Sequence, residues 1–340
     1  MKKLHFRALV LETTDRCNAK CAMCYQAAGP RGSDLRGDGR LDQGVVLRVI
    51  SEAAAMPEVS RRLHVSGGEA FLRYPETLDA FRHGRACGFT NIGSTTNGFW
   101  AVTEKIALRR CDELIDAGVD YLEVSVDHWH LPYVPLARVR NLLRAARATG
   151  LTIILRTLTS RSHHLDTLLE SFAATDLVGV LVGNGRVHPV GRGAVEVDPD
   201  DVYFGSGPVG ACEELLSLTI APNGNVYPCC AGADMTDSLA SGNVNTDSLR
   251  DAVFKMRTDR TIRQVIHQGT GSLIPIIKEL GYADRLQDRY DTICHLCWDV
   301  FKDNELAGAL REHFAEIQVR EMLAILDADP TTGRRDVTAP

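Results

Sequence analysis

The chain has the composition of a globular protein: 340 residues, 44% of them hydrophobic and 24% charged. The net charge of −6 and the scattered basic residues argue against a nucleic-acid partner. The longest apolar stretch, 177–182, is far too short to span a bilayer, and the first residues do not resemble a signal peptide. The sequence therefore predicts a cytoplasmic protein with neither a nucleic acid nor a membrane as partner.

Strands and helices alternate through the first half of the chain. The predicted strands cover 6–12, 62–66, 90–95, 121–126, 152–158 and 177–182. The predicted helices between them cover 44–55, 75–87, 102–117, 136–148 and 165–173. This order predicts parallel strands joined by right-handed crossovers, an α/β fold arranged as a partial (β/α)6 TIM barrel. Polar and glycine residues follow the strands, at the end where such barrels place their chemistry.

The second half of the chain has a different pattern. Glycine, proline and aspartate residues after position 183 mark a loop-rich boundary, and 217–228 has the pattern of a β-hairpin around Pro-Asn-Gly-Asn. Residues 246–291 are mostly helical, and a long helix is predicted over 302–326. We therefore predict a barrel over 1–195, a domain of a β-hairpin plus helices over 196–300, a C-terminal helix over 301–327 and a flexible tail over 328–340.

The chain has ten cysteines, a high number for a cytoplasmic protein of this size. In a reducing compartment, cysteines are more often ligands or catalysts than partners in disulfides. Cys87 and Cys111 fall in predicted helices and are expected in the core. The other eight cysteines form one group near the N-terminus, at 17, 21 and 24, and one in the C-terminal part, at 212, 229, 230, 294 and 297.

The N-terminal group is a CxxxCxxC motif directly after the first predicted strand. Its members Cys17, Cys21 and Cys24 can bind three irons of a [4Fe–4S] cluster and leave the fourth iron open. An open iron can chelate the amino and carboxylate groups of S-adenosylmethionine (SAM). The alternative is a zinc loop, which needs a fourth ligand and usually has CxxC spacing.

The motif, its place after strand one and the sixfold β/α pattern resemble the radical SAM superfamily. The segment Ser-Gly-Gly-Glu at the end of strand two resembles the GGE element that contacts the SAM amino group in that family. The resemblance implies that SAM is bound by Ser66, Gly67, Gly68, Glu69, Asn97, Ser125 and Arg156. For Ser125 and Arg156 the alternative is an ordinary polar residue at a strand end.

The C-terminal group, Cys212, Cys229, Cys294 and Cys297, can complete a closed cluster site because it offers four thiolates. The set resembles the shortened SPASM, or twitch, domain, which holds an auxiliary iron–sulfur cluster beside the barrel mouth. The resemblance implies a [4Fe–4S] cluster at this site. A zinc site with the same four ligands is the alternative.

Cys230 is then a spare thiol next to a predicted ligand. A thiol S–H bond is weaker than most C–H bonds, so Cys230 can return a hydrogen atom after the 5′-deoxyadenosyl radical has taken one from the opposite face of a carbon. The product would be an epimer. The alternative for Cys230 is a buried cysteine that behaves as a small apolar residue.

Several strings, among them Thr-Asn-Gly-Phe-Trp at 96–100 and Val-Tyr-Pro-Cys-Cys at 226–230, are similar to strings in YydG-type peptide epimerases. The similarity covers most of 8–300, in order. It implies conversion of L- to D-residues in a ribosomally made peptide, with a donor thiol at Cys230. One departure is Ser217, which stands where an acidic residue is associated with that family. Twitch enzymes that act on aminocyclitols or aminoglycosides, both epimerases and dehydrogenases, share the cluster pattern and remain the alternative.

Asp127 and His130 follow the fourth predicted strand and should face the barrel mouth. Either side chain can bind substrate or move a proton, and a hydrogen-bonded loop is the alternative.

The sequence thus predicts a radical SAM epimerase, with a flavodoxin-type reductant supplying one electron. A dehydrogenase, in which the auxiliary cluster accepts the substrate radical's electron, and a non-catalytic zinc or cluster protein that binds a partner are the competing hypotheses.

Overall fold

A computed structural model describes residues 4–204, 210–212, 216–230 and 232–328, and an eight-stranded sheet forms its centre. Six neighbouring strands are parallel and follow chain order. These strands, β1 to β6, are Leu9–Glu12, Arg62–Ser66, Asn91–Thr96, Tyr121–Ser125, Thr152–Thr159 and Leu181–Arg186. The helices that follow them, α1 to α6, are Gln43–Ala54, Tyr74–Ala86, Glu104–Asp116, Leu136–Thr149, Leu165–Glu170 and Gly193–Glu196. The predicted partial (β/α)6 barrel is confirmed.

Helix α1 shows how local sequence builds the outer layer of the barrel. The Asp42 side chain caps the helix by accepting from the backbone N–H of Gly44. Val46, Val49 and Ile50 recur at helical spacing and are buried. They belong to the same hydrophobic core as the apolar residues on the outer face of the sheet, so the core lies between the sheet and its helices.

The sixth strand was predicted at 177–182, and that position is wrong: β6 is Leu181–Arg186. The apolar run that suggested the strand is not buried, since Leu181 and Val182 are 57% and 42% exposed. Strand β6 pairs with β5 from Leu181, opposite Ile154, to Arg186, opposite Thr159. Backbone pairing with a neighbouring strand outweighs the weak β-propensity of the glycines in this edge strand.

The predicted hairpin is confirmed, as β7 (Leu218–Ile220) and β8 (Val226–Tyr227) are antiparallel. Strand β7 also pairs in parallel with β1, so the hairpin extends the barrel sheet. Gly224 in the turn has a φ of 89°, and a Cβ there would lie 2.3 Å from the Asn245 side chain, so only glycine fits without strain.

The remaining helices cover the C-terminal part. Helices α7 to α11 are Leu249–Thr258, Arg260–Gln268, Leu273–Glu279, Ile293–Lys302 and Asn304–Ala328. The predicted tail lies outside the described residues except for position 328, and the division into domains stays a prediction. None of the helices in the described ranges combines the length and apolar character needed to cross a membrane.

Candidate active site

The strand register places several predicted SAM-binding residues on one face of the sheet. Glu12 pairs with Ser66 across β1 and β2, and Ser125 pairs with Arg156 across β4 and β5. Because side chains alternate along each strand and paired residues share a face, all four point to the side opposite the helix-packed core. Arg156 is half exposed there, and its Nε lies 3.4 Å from the Glu123 carboxylate. This face is the interior of the partial barrel.

The segment that carries Cys17, Cys21 and Cys24 is held by hydrogen bonds to its backbone. The Cys17 N–H donates to Gly29 O at 2.9 Å, and the Cys24 N–H donates to Cys21 O at 3.1 Å. The buried guanidinium of Arg192 donates to Cys21 O at 3.0 Å and also to the carbonyls of 27 and 28. These contacts fix the three thiols on one loop after β1.

The burial of this loop suits thiolate ligands of an iron cluster. Cys17 and Cys21 are buried, and burial raises the pKa of Cys17 and of Cys24 above the ordinary thiol value. The positive charge of bound iron offsets this effect and stabilises thiolates. Within the described part of the chain, no three His, Cys, Asp or Glu side chains are arranged to hold a metal ion. Thiolates that each bind their own iron of a cluster need no such convergence, so the donor set fits a [4Fe–4S] cluster.

The Gly-Gly-Glu segment after β2 packs against the stretch that leads into the cysteine loop. The N–H of Gly68 donates to Thr14 O at 2.7 Å, and a Cβ at Gly68 would lie 2.3 Å from Arg16 O. The Glu69 carboxylate accepts from the Asn97 N–H at 2.8 Å, and burial raises its pKa to about 7. Asn97 Nδ2 in turn lies 3.8 Å from Cys17 Sγ. The structure therefore brings Gly67, Gly68, Glu69 and Asn97 to the cysteine loop.

The buried Asp127 and the half-buried His130 form a pair after β4. Asp127 Oδ1 accepts from His130 Nδ1 at 2.8 Å and from the Trp129 N–H at 3.1 Å, while Oδ2 accepts from the Leu158 N–H at 3.3 Å. Burial alone would lower the pKa of His130, but the Asp127 carboxylate and Cys21 raise it well above the ordinary value. Asp127 is therefore fully engaged in orienting His130 toward the cysteine loop.

The C-terminal cysteines come from separate parts of the chain. Cys294 and Cys297 lie in the first turns of α10, and the Cys212 N–H donates to Ile266 O at the end of α8. Burial raises the pKa of Cys294 to about 11, with a contribution from Cys212, and raises that of Cys297 with a contribution from Cys294. These three thiols are thus near one another, while Cys229 follows β8. All ten cysteines are described, and none forms a disulfide.

A carboxylate links the two cysteine regions. Asp291, just before α10, accepts from His188 Nδ1 and lies 3.0 Å from His295 Nδ1. His188 belongs to the loop after β6 that also carries Arg192, and the Arg192 N–H donates to Cys24 O at 3.0 Å. One loop therefore touches both the N-terminal cysteine segment and the helix of the C-terminal set.

Cys230 is half-buried, and the buried carboxyls of Asp234 and Glu12 act on it electrostatically. Ser217 Oγ lies 3.8 Å from Cys230 Sγ, so the residue at the position of the family's acid does contact this thiol. Burial raises the pKa of Cys230 to about 12, with further contributions from Asp234 and Glu12. The thiol is therefore protonated at neutral pH.

Sequence reasoning missed Arg192, His188 and the acids that act on Cys230. The sequence does indicate that Glu12 has a partner, because this carboxylate ends an apolar strand and burying it without a partner costs free energy. Asp234 and Arg36 carry no such signal, because their meeting depends on tertiary packing.

Comparisons with known proteins agree with this architecture. A radical SAM superfamily model matches residues 11–165, and a SPASM model, an iron-sulfur cluster-binding domain, matches residues 212–298. The chain is 20% identical over 315 residues to the peptide biosynthesis protein YydG of Bacillus subtilis (strain 168), covering 89% of this chain and 94% of that protein. It is 31% identical to the tungsten-containing aldehyde ferredoxin oxidoreductase cofactor-modifying protein of Pyrococcus furiosus, over 35% of this chain and 30% of that one.

Solved structures of anSMEcpe share the fold. The form with bound AdoMet has a TM-score of 0.55 at 12% identity, covering 95% of this chain and 100% of that one. The form with bound AdoMet and the Cp18Cys peptide has a TM-score of 0.51 at 12% identity, covering 95% and 99%.

The two matched domains specify the cofactors. A radical SAM domain implies SAM and a [4Fe–4S] cluster, and a SPASM domain implies auxiliary iron–sulfur cluster binding. The buried CxxxCxxC loop at the mouth of the partial barrel and the second cysteine set fit these requirements. The chain is therefore a radical SAM enzyme with a C-terminal SPASM domain.

Proposed function

We propose that this enzyme is an epimerase in which Cys230 returns a hydrogen atom to a substrate carbon. The observation that carries the proposal is a half-buried thiol outside both ligand sets, next to Cys229 and in contact with Ser217. Burial raises the pKa of this thiol to about 12, which favours an intact S–H bond. A hydrogen-atom donor needs an intact S–H bond and a position near the barrel interior. Strand β7, which follows Ser217, pairs with β1 and so brings this thiol to the barrel.

The other site residues have supporting roles in this proposal. Cys17, Cys21 and Cys24 hold the SAM-cleaving cluster, and the residues assigned to SAM are Ser66, Gly67, Gly68, Glu69, Asn97, Ser125 and Arg156. When bound, this cluster and SAM supply the 5′-deoxyadenosyl radical, which takes a hydrogen atom from the substrate. Cys212, Cys229, Cys294 and Cys297 hold the auxiliary cluster. Asp127 holds the His130 ring in place for substrate binding or proton transfer.

A peptide is the substrate class that the relatives favour. YydG, which this chain matches over nearly its whole length, is named as a peptide biosynthesis protein. We therefore assign the reaction to Cα positions of a ribosomally made peptide, with a flavodoxin-type protein as the electron donor. Aminocyclitol or aminoglycoside epimerisation or dehydrogenation is the alternative, because Ser217 replaces the acid associated with the peptide enzymes.

The test is turnover of the anaerobically reconstituted enzyme in deuterated water. The probes are short peptides encoded near its gene and, separately, a panel of aminocyclitols. We expect one solvent deuterium at one inverted peptide Cα, and loss of inversion in Cys230→Ala but not in the matched control Cys87→Ala. Loss of two hydrogens that persists in Cys230→Ala would identify a dehydrogenase, and turnover of an aminocyclitol alone would replace the peptide assignment.

A further inference from the structure

The two outer strands of the eight-stranded sheet differ in what lies along their outer edges. Strand β8, at one end of the sheet, is covered: the Val226 N–H donates to Gly242 O at 2.9 Å, and the Ser241 N–H donates to Val226 O at 2.9 Å. Strand β6, at the other end, pairs with β5 on one side only. No described residue forms a backbone hydrogen bond with its other side. The barrel sheet therefore has one closed end and one open end.

The pairing with β5 fixes which backbone groups of β6 face the open side. The Val187 N–H donates to Thr159 O at 3.0 Å, so the backbone of position 187 faces β5. Successive residues of a strand turn their N–H and C=O groups to alternate edges. The groups of Val182, Asn184 and Arg186 therefore face outward, where an added strand would find three donors and three acceptors.

This edge lacks the features that usually prevent strand addition. Natural edge strands are commonly protected by charged side chains, proline or a bulge. Residues 181–185 include neither a charged residue nor a proline, and the continuous register with β5 leaves no bulge. Leu181 and Val182 are exposed, and so is Val178 just before the strand. The outer edge of β6 is thus open to a partner with apolar side chains.

The interior side of β6 is also free of side chains at its centre. Gly183 lies opposite Arg156, whose side chain points into the barrel interior, and Gly185 shares that face. A Cβ at Gly183 would lie 2.9 Å from the Arg156 guanidinium, so no larger residue fits there without a shift of that side chain. Glycine inside a strand is typical of a place where another backbone or a ligand approaches closely. A partner at this edge therefore reaches the barrel interior without passing a side chain of β6.

The pattern of the open groups selects an extended polypeptide as the partner. The outward groups repeat at every second residue, about 6.6 Å apart, and an extended backbone repeats its own donors and acceptors with the same period. The hydroxyls of a single sugar or cyclitol ring have no such repeat. In a strand added to β6, every second side chain would point to the face that carries Arg156, which is the barrel interior.

We propose that the peptide substrate binds as an added strand on the outer edge of β6, with its backbone hydrogen-bonded to positions 182, 184 and 186. The inference rests on the proposed function and deepens its substrate assignment. Main-chain hydrogen bonds provide the affinity of such an added strand, and the pockets for alternate side chains provide the specificity. Alternate residues of the bound segment thus enter the barrel interior, and the residues between them stay outside it.

The first test is a backbone scan of the peptides encoded near the gene, measured as binding to the reconstituted holoenzyme with SAM. A single N-methyl group, placed at each position in turn, removes one amide N–H and leaves the side chain unchanged. Methylation at every second position of one segment should weaken binding roughly tenfold, the loss of one backbone hydrogen bond, and the positions between should tolerate it. A sensitivity that repeats every three or four residues, or no repeat, would overturn the inference.

The second test changes the edge itself. Val182→Pro removes an outward N–H, and proline is tolerated in an edge strand at such a position. Peptide binding should weaken roughly tenfold in this variant. Val182→Thr is the matched variant, because it keeps the N–H and a branched side chain, and it should bind the peptide far more tightly than Val182→Pro. If Val182→Pro loses iron, hydrogen exchange of the unmodified holoenzyme decides instead: bound peptide should protect the amides of 182, 184 and 186, and unchanged exchange there would overturn the inference.

The outcomes separate this inference from the proposed function. If none of the peptides binds, the peptide assignment fails and this inference fails with it. If a peptide binds and is inverted, but its scan has no two-residue period and Val182→Pro binds it normally, only this inference fails. A peptide that binds with that period and is not inverted supports the inference and contradicts the epimerase reaction. If Val182→Pro separates a dimer and leaves peptide binding unchanged, the edge joins two copies of this chain, which also overturns the inference.

Discussion

The two cysteine sets differ in how the chain assembles them. Cys17, Cys21 and Cys24 lie on one loop whose carbonyls are bound by the Arg192 guanidinium. The C-terminal set spans positions 212 to 297 and joins a segment beside α8, the end of a hairpin and the start of α10. The first set is therefore a local structure that tertiary contacts reinforce, whereas the second exists only after the C-terminal part has folded.

The largest effect is expected from the local set. Cys17→Ala should abolish formation of 5′-deoxyadenosine from SAM. Two thiolate ligands cannot hold a [4Fe–4S] cluster whose fourth iron is open to bind SAM. Iron content should fall from about eight to about four per chain. Cys87→Ala is the control, because Cys87 is a half-buried thiol that belongs to neither cysteine set. This variant should keep both the formation of 5′-deoxyadenosine and the iron content of the unmodified enzyme. SAM cleavage that survives in Cys17→Ala would contradict the ligand assignment.

A smaller effect is expected from the assembled set. Cys297→Ala should lose the auxiliary cluster and about half of the iron. It should retain SAM cleavage, because the backbone hydrogen bonds that hold the N-terminal cysteine loop do not involve Cys297. Electron paramagnetic resonance and product analysis would measure both properties. Loss of SAM cleavage together with the auxiliary cluster would show that the two sets are not independent.

The smallest effect is expected where the two regions are linked. His188→Ala removes one of two histidine partners of Asp291. It should lower the free energy of unfolding by only about 1 kcal/mol, because His188 is 39% exposed and solvent weakens its interaction with Asp291. His188→Gln should recover part of that loss, and the exposed His164→Ala is the control. We also expect a changed auxiliary-cluster spectrum in His188→Ala, and an unaltered spectrum would limit His188 to a purely stabilising role.

The same contrast explains how far the sequence could predict the structure. Five of six barrel strands and the hairpin lie where apolar alternation and turn residues place them, since those signals are local. The sixth strand was placed four residues too early because its true position is set by pairing with β5 rather than by its own side chains. Similarly, the CxxxCxxC motif is visible in eight residues of sequence.

The parts that sequence could not predict depend on distant segments. Arg192 is one of several arginines in glycine-rich stretches, and only the folded loop shows that it binds the carbonyls near Cys21. Asp234 meets Glu12 across more than two hundred positions, through a shared guanidinium. Neither contact has a characteristic spacing, so neither leaves a pattern in a single sequence.

The pairing of the hairpin with β1 has a consequence for synthesis of the protein. Strand β1 is made before the other strands of its sheet, but one of its edges has no partner strand until residues 218–220 have been made. An unpaired edge can add a strand from another chain, which is a common start of aggregation. The nascent barrel is therefore vulnerable to self-association during most of its translation, until the late hairpin closes that edge.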